Sequence, residues 1–255
     1  MSINQYDNYN SVIIIMAGGL GKRMNSKLPK VLHLINKKPM IVHVIERAIE
    51  LNVYKIIIVV GKFYNIIKST IENYINSEFY KTKIFYVIQK QPLGTGNAIM
   101  CCKKILCKLP DYIKNVCILS GDVPLITSKT INNLLLNTEI CKILISKIED
   151  PSGYGRIVVK NNNIIKIIED KDCNNEEKKI QFINSGIYSF NISILLKYIE
   201  KIDNINANNE YYLTQIFEII KKDNYNIGYN YTDNLQEISG VNNKDQLNEL
   251  EKLII

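Results

Sequence analysis

Histidine occurs only twice in these 255 residues, at 33 and 43, and the six cysteines at 101, 102, 107, 117, 141 and 173 show no Cys-x-x-Cys spacing. Neither a zinc knot nor a disulfide framework is supported, so the cysteines read as buried small hydrophobes in a reducing cytosol. No run of about 18 apolar residues is present, and residues 1–11 are polar with no cleavage pattern. The expectation is a cytoplasmic protein with no membrane association. Arginine-rich stretches and finger motifs are missing too. The net charge of +7 comes from scattered lysines, which points to small anionic ligands and not to nucleic acid.

What is present is ordinary for a globular enzyme: 46% hydrophobic and 22% charged residues, in a chain long enough to bury a full core. Asparagine runs at 161–163 and 204–209 read as turns.

The most informative stretch is Val12 to Leu32. Val12 to Met16 are apolar without alternation, as in a central parallel strand covered on both faces. Ala17, Gly18, Gly19 and Gly21 follow, with Lys22, Arg23 and Lys30 close behind. Glycines let backbone N–H groups approach an anion, and three cations within ten positions favour a phosphate chain over a plain turn with solvated charges. The spacing excludes two familiar phosphate loops. Gly21-Lys22 is followed by Arg23 and not by Ser or Thr, so no P-loop hydroxyl awaits Mg²⁺. The third glycine of a dinucleotide fingerprint would fall on Met24.

Periodicity places a helix over 40–51, a buried strand over Ile56–Val60, a helix over 64–75, a strand over Ile84–Ile88, a helix over Gly96–Leu106 and a buried strand over Val116–Leu119. Alternating strand and helix predicts a Rossmann-like α/β fold, a mixed, mostly parallel sheet that binds ligands beyond its carboxyl ends. Asp122 follows one such end and suits Mg²⁺, although an Asx-turn would use the same residue. Gln89 follows another. Its one acceptor and two donors suit a base edge, with Gly94 and Gly96 giving the backbone a close approach. After about residue 140, short strands over Ile143–Ile148, Gly155–Lys160, Ile164–Asp170 and Phe182–Phe190 predict a smaller antiparallel addition over one side of the sheet. Helices are expected around 192–202 and 211–222. A last one over 243–253 presents Leu247, Leu250 and Leu253 on one face.

Several segments in order carry a family resemblance: Ala17-Gly18-Gly19-Leu20-Gly21-Lys22-Arg23-Met24, Leu28-Pro29-Lys30-Val31-Leu32-His33, Gln89 with Leu93-Gly94-Thr95-Gly96, and Gly121-Asp122-Val123-Pro124-Leu125. They continue with Asp150 to Arg156, Ile168 to Asp172, Asn184 to Ile187, Asn209 to Thr214 and Gly240 to Asn243. The chain resembles the uridylyltransferase half of the bifunctional bacterial N-acetylglucosamine-1-phosphate uridylyltransferases.

That resemblance implies the sugar nucleotidyltransferase fold over residues 1–255, with a nucleotide-binding half (about 11–140), a sugar-binding half (about 141–230), and a metal-binding loop and terminal helix (about 231–255). It implies UTP and N-acetylglucosamine-1-phosphate as substrates and Mg²⁺ as cofactor. Gln89 and the backbone near Gly18 and Gly94 would meet uracil, with Ala17, Gly19, Gly21, Lys22 and Thr95 completing the nucleotide site. Arg23 and Lys30 would act on the phosphates, Asp122 and Asn242 on the metal, and Gly155, Glu169, Asn184 and Thr214 on the amino sugar.

Two departures from the family pattern stand out, Lys22 in place of threonine and Gln215 in place of aspartate. Nothing resembling hexapeptide repeats follows, so acetyl transfer and the trimer are not expected, and a monomer or a homodimer is. Both histidines read as structural. A sibling enzyme using glucose-1-phosphate or dTTP, and a silent nucleotide-sugar-binding regulator, are the alternative readings.

Overall fold

The computed structural model describes residues 6–19, 21–136 and 139–253, with the side chain of Lys22 outside what is described. In chain order the strands are β1 (Ser11–Ala17), β2 (Leu34–Ile35), β3 (Lys38–Pro39), β4 (Lys55–Val60), β5 (Ile84–Ile88), β6 (Asn115–Ser120), β7 (Cys141–Lys147), β8 (Gly155–Lys160), β9 (Asn163–Ile168), β10 (Phe182–Asn191) and β11 (Gly228–Tyr231). The helices are α1 (Met40–Glu50), α2 (Tyr64–Tyr74), α3 (Glu78–Lys83), α4 (Thr95–Met100), α5 (Lys103–Leu106), α6 (Ser128–Leu135), α7 (Ile192–Tyr198), α8 (Gln215–Lys222) and α9 (Lys244–Lys252).

One nine-stranded sheet runs in the order β11-β7-β10-β6-β1-β4-β5, with β8 paired to β10 and β9 to β8. Strands β6, β1, β4 and β5 are mutually parallel, as right-handed strand-helix crossovers require. The period of two splits β1 between two cores. Val12 and Ile14 pack with Ile57, Val59, Val116 and Ile118 on one face, while Ile13 and Ile15 pack with Ile56, Ile58, Cys117 and Leu119 on the other. All four residues from Val12 to Ile15 are fully buried, which is why they show no alternation in polarity.

The later strands pair antiparallel as expected, but in a different place. They do not lie over a face of the sheet. Instead β10 inserts antiparallel beside β6, β7 pairs with β10, and β11 closes that edge, so the second half extends the same sheet sideways. Only the β8–β9 hairpin leaves the main path. The helix expected over 96–106 is two, because Cys102 donates to Ile99 O and Ile105 to Cys102 O, tighter i→i−3 bonds that end α4. The helix expected from 211 begins at Gln215, since Tyr211 is drawn into extended pairing with the Gly94 loop.

The terminal helix packs on its own chain. Leu250 is buried with Met24, Ile35, Met40 and Val241, and Leu247 packs against them, whereas Leu253 is exposed and does not complete the stripe. Met24, which fills the place of a third fingerprint glycine, is thus the floor under α9. Cys102, Cys117, Cys141 and Cys173 are buried as expected. Cys101 is half-buried, and Cys107, just past the end of α5, is exposed. Among the described residues, no helix is long and apolar enough to cross a membrane.

Candidate active site

Beyond the carboxyl ends of β1, β5 and β6 lies a cleft of about 570 Å³. Ala17, Gly18, Gly19, Gly21, Arg23, Lys30, Gln89, Gly94, Thr95 and Asp122 all line it, so one space gathers the expected nucleotide and phosphate residues whose side chains are described. The glycines serve different ends. A Cβ at Gly19 would meet nothing within 4 Å, so its bare backbone faces open cleft. Gly21 has φ +59°, and a Cβ there would come within 2.8 Å of Lys30 Cβ, so glycine lets the Lys30 segment cross the loop.

The cations and the metal candidates form one network. Lys30 Nζ is hydrogen-bonded to Asp122 Oδ2 and, at 3.1 Å, to Asn242 Oδ1. Arg23 Nη2 donates to the same Asn242 oxygen at 3.0 Å, and Ser120 Oγ donates to Asp122 Oδ1 at 2.6 Å. Asn242 is not part of the cleft wall. It reaches the cleft through these two cations, held there by its own N–H donating to Gln246 Oε1 at 2.8 Å. Lys30 and Asp122 keep only 17% and 13% of their side-chain surface, so water screens this pair weakly.

At the base end, Gln89 is 7% exposed and its backbone N–H donates to Val60 O. Its Nε2 donates to Gly94 O at 3.1 Å and to Asn97 Oδ1 at 3.0 Å. Gly94 and Gly96 admit a backbone, but it is the protein's own. Gly96 N–H donates to Tyr211 O at 2.7 Å, Tyr211 N–H donates to Leu93 O at 2.8 Å, and Leu213 N–H donates to Thr95 Oγ1 at 3.0 Å. Cβ atoms at Gly94 and Gly96 would stand 2.6 and 2.9 Å from Tyr211 O. Segment 209–214 is thereby bound to the nucleotide loop, and Glu210 joins the cleft wall, a residue that sequence spacing did not single out.

The four expected sugar residues do not line this cleft. Glu169 and Thr214 line a second cavity of about 330 Å³, to which segment 209–214 contributes Tyr212 and Thr214 as it contributes Glu210 to the first, and there the Thr214 hydroxyl donates to Glu169 Oε1 at 2.8 Å. Burial pushes the Glu169 carboxyl above its usual value; the Thr214 hydrogen bond opposes this, and Asp172, Glu210 and Asp170 reinforce it. Asn184 and Gly155 are register partners on β10 and β8. The Asn184 amide donates to the hydroxyl of Tyr188 at 2.7 Å, and burial followed by the nearby Glu169 charge raises the Tyr188 phenol. Tyr188 is thus bonded to Asn184 and lies within the influence of the Glu169 charge. Its place in an apolar strand gave no signal, since a buried tyrosine in a strand usually serves the core.

The motif around Asp150 to Arg156 is scaffolding. Arg156, 2% exposed, pairs with Asp170 at 2.9 Å and donates to Tyr154 O, fixing the hairpin that carries Gly155. At the departure Gln215, Oε1 accepts from Asp203 N–H at 2.8 Å, so this amide ties down the preceding loop. His43 Nε2 is hydrogen-bonded to Ile35 O at 2.9 Å, and burial lowers the pKa of His33, consistent with structural roles. Lys22 lies outside the described side chains.

The profile of the nucleotidyl transferase family matches residues 12–234. A protein of Acanthamoeba polyphaga mimivirus named "Probable UDP-N-acetylglucosamine pyrophosphorylase" is 42% identical over 250 residues, covering 94% of this chain and 95% of its own length. The bifunctional protein GlmU of Clostridium tetani is 43% identical over 251 residues, 96% of this chain and 52% of that protein. The chain spans about half the length of the bifunctional relatives it matches. A solved UDP-glucose pyrophosphorylase in complex with UDP-glucose superposes with a TM-score of 0.72 at 18% identity, covering 96% and 98% of the two chains, which shows the shared fold. With a family profile covering most of the chain, a relative matched over nearly its whole length, and the family's glycine loop in place at the sheet's carboxyl end, this chain belongs to the nucleotidyl transferase family.

Proposed function

We propose that the chain transfers the uridylyl group of UTP to N-acetylglucosamine-1-phosphate, releasing pyrophosphate. The observation that carries this reading is the single cleft that has Arg23, Lys30 and Asp122 at one end and the buried amide of Gln89 at the other, the two ends a nucleoside triphosphate needs. The near full-length mimiviral relative, named for the same product, supports the choice of sugar nucleotide.

The sugar phosphate is already ionised near neutral pH, so its oxygen attacks the α-phosphorus in line and needs no general base. Arg23 and Lys30 supply charge to the phosphates as negative charge shifts onto the leaving pyrophosphate. Glu169, Thr214, Gly155 and Asn184 are assigned to the acetylated sugar.

Among the described residues no group of three or more His, Cys, Asp or Glu could hold a metal by itself. Asp122 and Asn242 nevertheless fit Mg²⁺. Both are hard oxygen donors, and both already converge on one cation, the Lys30 ammonium. They would hold the ion together with substrate phosphates, and when bound it would neutralise charge on the triphosphate.

The test is pyrophosphate release from the purified chain with UTP, Mg²⁺ and each sugar phosphate in turn. Release with N-acetylglucosamine-1-phosphate is expected. Release with glucose-1-phosphate alone would move the chain to a sibling activity, and no release with any sugar phosphate would leave a binding protein.

A further inference from the structure

The geometry points to Asn97 as the residue that sets base specificity, by fixing which end of the Gln89 amide faces the nucleotide; this rests on the uridylyl transfer proposed above. A glutamine amide has two nearly isosteric ends, an acceptor oxygen and a donor NH₂, and only its partners decide between them. At Gln89 the partners are one-sided. Gly94 O and Asn97 Oδ1, both acceptors, converge on Nε2 at 3.1 and 3.0 Å and take up its two hydrogens.

The opposite end of the amide is displayed toward the glycine loop. A Cβ built on Gly18 would come within 2.9 Å of Gln89 Oε1, so the carbonyl oxygen lies against the bare Cα of a residue that itself lines the cleft. A base entering beside Gly18 therefore meets a hydrogen-bond acceptor. Uracil offers its ring N3–H to such an acceptor. Cytosine presents a lone pair at the same ring position, and acceptor would oppose acceptor.

Flipping Gln89 to serve cytosine would turn its oxygen onto Gly94 O and Asn97 Oδ1 at once. The Gly94 carbonyl is backbone and cannot be removed by substitution, but Asn97 can. It sits half-buried in the first turn of α4 and is not one of the residues that line the cleft. Asn97 is thus a positioning residue, acting through Gln89.

The experiment compares kcat/KM for UTP and CTP, with N-acetylglucosamine-1-phosphate saturating, in the wild-type chain, Asn97→Ala and Asn97→Asp. Wild type should prefer UTP. Asn97→Ala, which removes one of the two acceptors, should shrink that preference by about tenfold, mostly through a raised KM for UTP. Asn97→Asp keeps an acceptor at that place and should retain the preference. A merely structural role would slow both nucleotides alike and leave the ratio unchanged, and an unchanged ratio in Asn97→Ala overturns the inference. A wild-type chain that prefers UTP by no larger a factor than Asn97→Ala defeats the role of Asn97 alone. A wild-type chain inactive with UTP defeats the uridylyl-transfer reading itself.

Discussion

The backbone N–H of Val241 donates to the carbonyl oxygen of Asp122 at 3.0 Å. This one bond ties the loop before the terminal helix to the turn after β6. Asn242 follows immediately, so its amide oxygen and the carboxylate of Asp122, 120 residues earlier, come to one ammonium. Val241 itself is buried beside Met24, Met40 and Leu250, which holds the loop in place from below.

Substituting Asp122→Ala should leave the circular dichroism spectrum unchanged, because this half-buried side chain lies in a turn and not in a strand. Transfer should fall to less than about a tenth of the wild-type rate, a conservative bound for removing a ligand to a phosphate-bridging ion. Asn242→Ala should act in the same direction and raise the Mg²⁺ concentration needed for half-maximal rate. A rate near wild type in Asp122→Ala would remove both from the metal site.

If Asp122 and Asn242 hold the metal as proposed, it would compete for their oxygens with the Lys30 ammonium, which is bonded to both. Without nucleotide, Mn²⁺ binding measured by electron paramagnetic resonance should therefore be weak in the wild-type chain and tighter in Lys30→Met. The same variant should lose about 10²-fold or more in transfer rate, since a preorganised donor to developing charge is gone. Weaker Mn²⁺ binding in Lys30→Met than in wild type would contradict this competition.

Two glycines of the cleft should respond oppositely to alanine. At Gly94, φ is +106° and a Cβ would press on Tyr211 O, so Gly94→Ala should destabilise the fold by about 1–3 kcal/mol in urea titrations. At Gly19 a Cβ meets nothing within 4 Å, so Gly19→Ala should keep its stability within about 0.5 kcal/mol yet bind UTP more weakly. Equal loss of stability in both variants would mean that Gly19 is structural.

Glu169 makes stability depend on pH. Its carboxyl is raised above 4.5 in the folded chain, first by burial, so the native state holds that proton more tightly than the unfolded chain. The associated stabilisation is present below the ordinary carboxylate value and is lost as pH rises through the raised one. In Glu169→Gln the amide cannot ionise and still offers Thr214 an acceptor. Its urea midpoint relative to wild type should therefore be higher at pH 8 than at pH 4, while the KM for the sugar phosphate rises. A difference that is constant between the two pH values would refute the shift.

The phosphate end of the site was legible in the sequence because it is local: β1 runs straight into the glycines, and Arg23 and Lys30 follow within the same loop, so spacing alone brings them together. The proposed sugar end was legible only through family motifs. Asn184, Glu169 and Thr214 come from β10, the end of β9 and the start of α8, and Tyr188, bonded to Asn184, looks like any core tyrosine.

Local chemistry in the sequence determined the alternating strands and helices, the buried central strand and the cationic glycine loop. Pairing across the sheet was decided only by the tertiary structure. Hydrogen-bonded edges placed β10 beside β6, turning an expected covering layer into an extension of one sheet. Close backbone contact made Gly94 and Gly96 the seat of Tyr211, and the convergence of two acceptors on one amide set the direction in which Gln89 faces. The strand pairing and the Tyr211 contact join residues from far apart in the chain, and neither periodicity nor composition carries information about which distant groups will share a hydrogen bond.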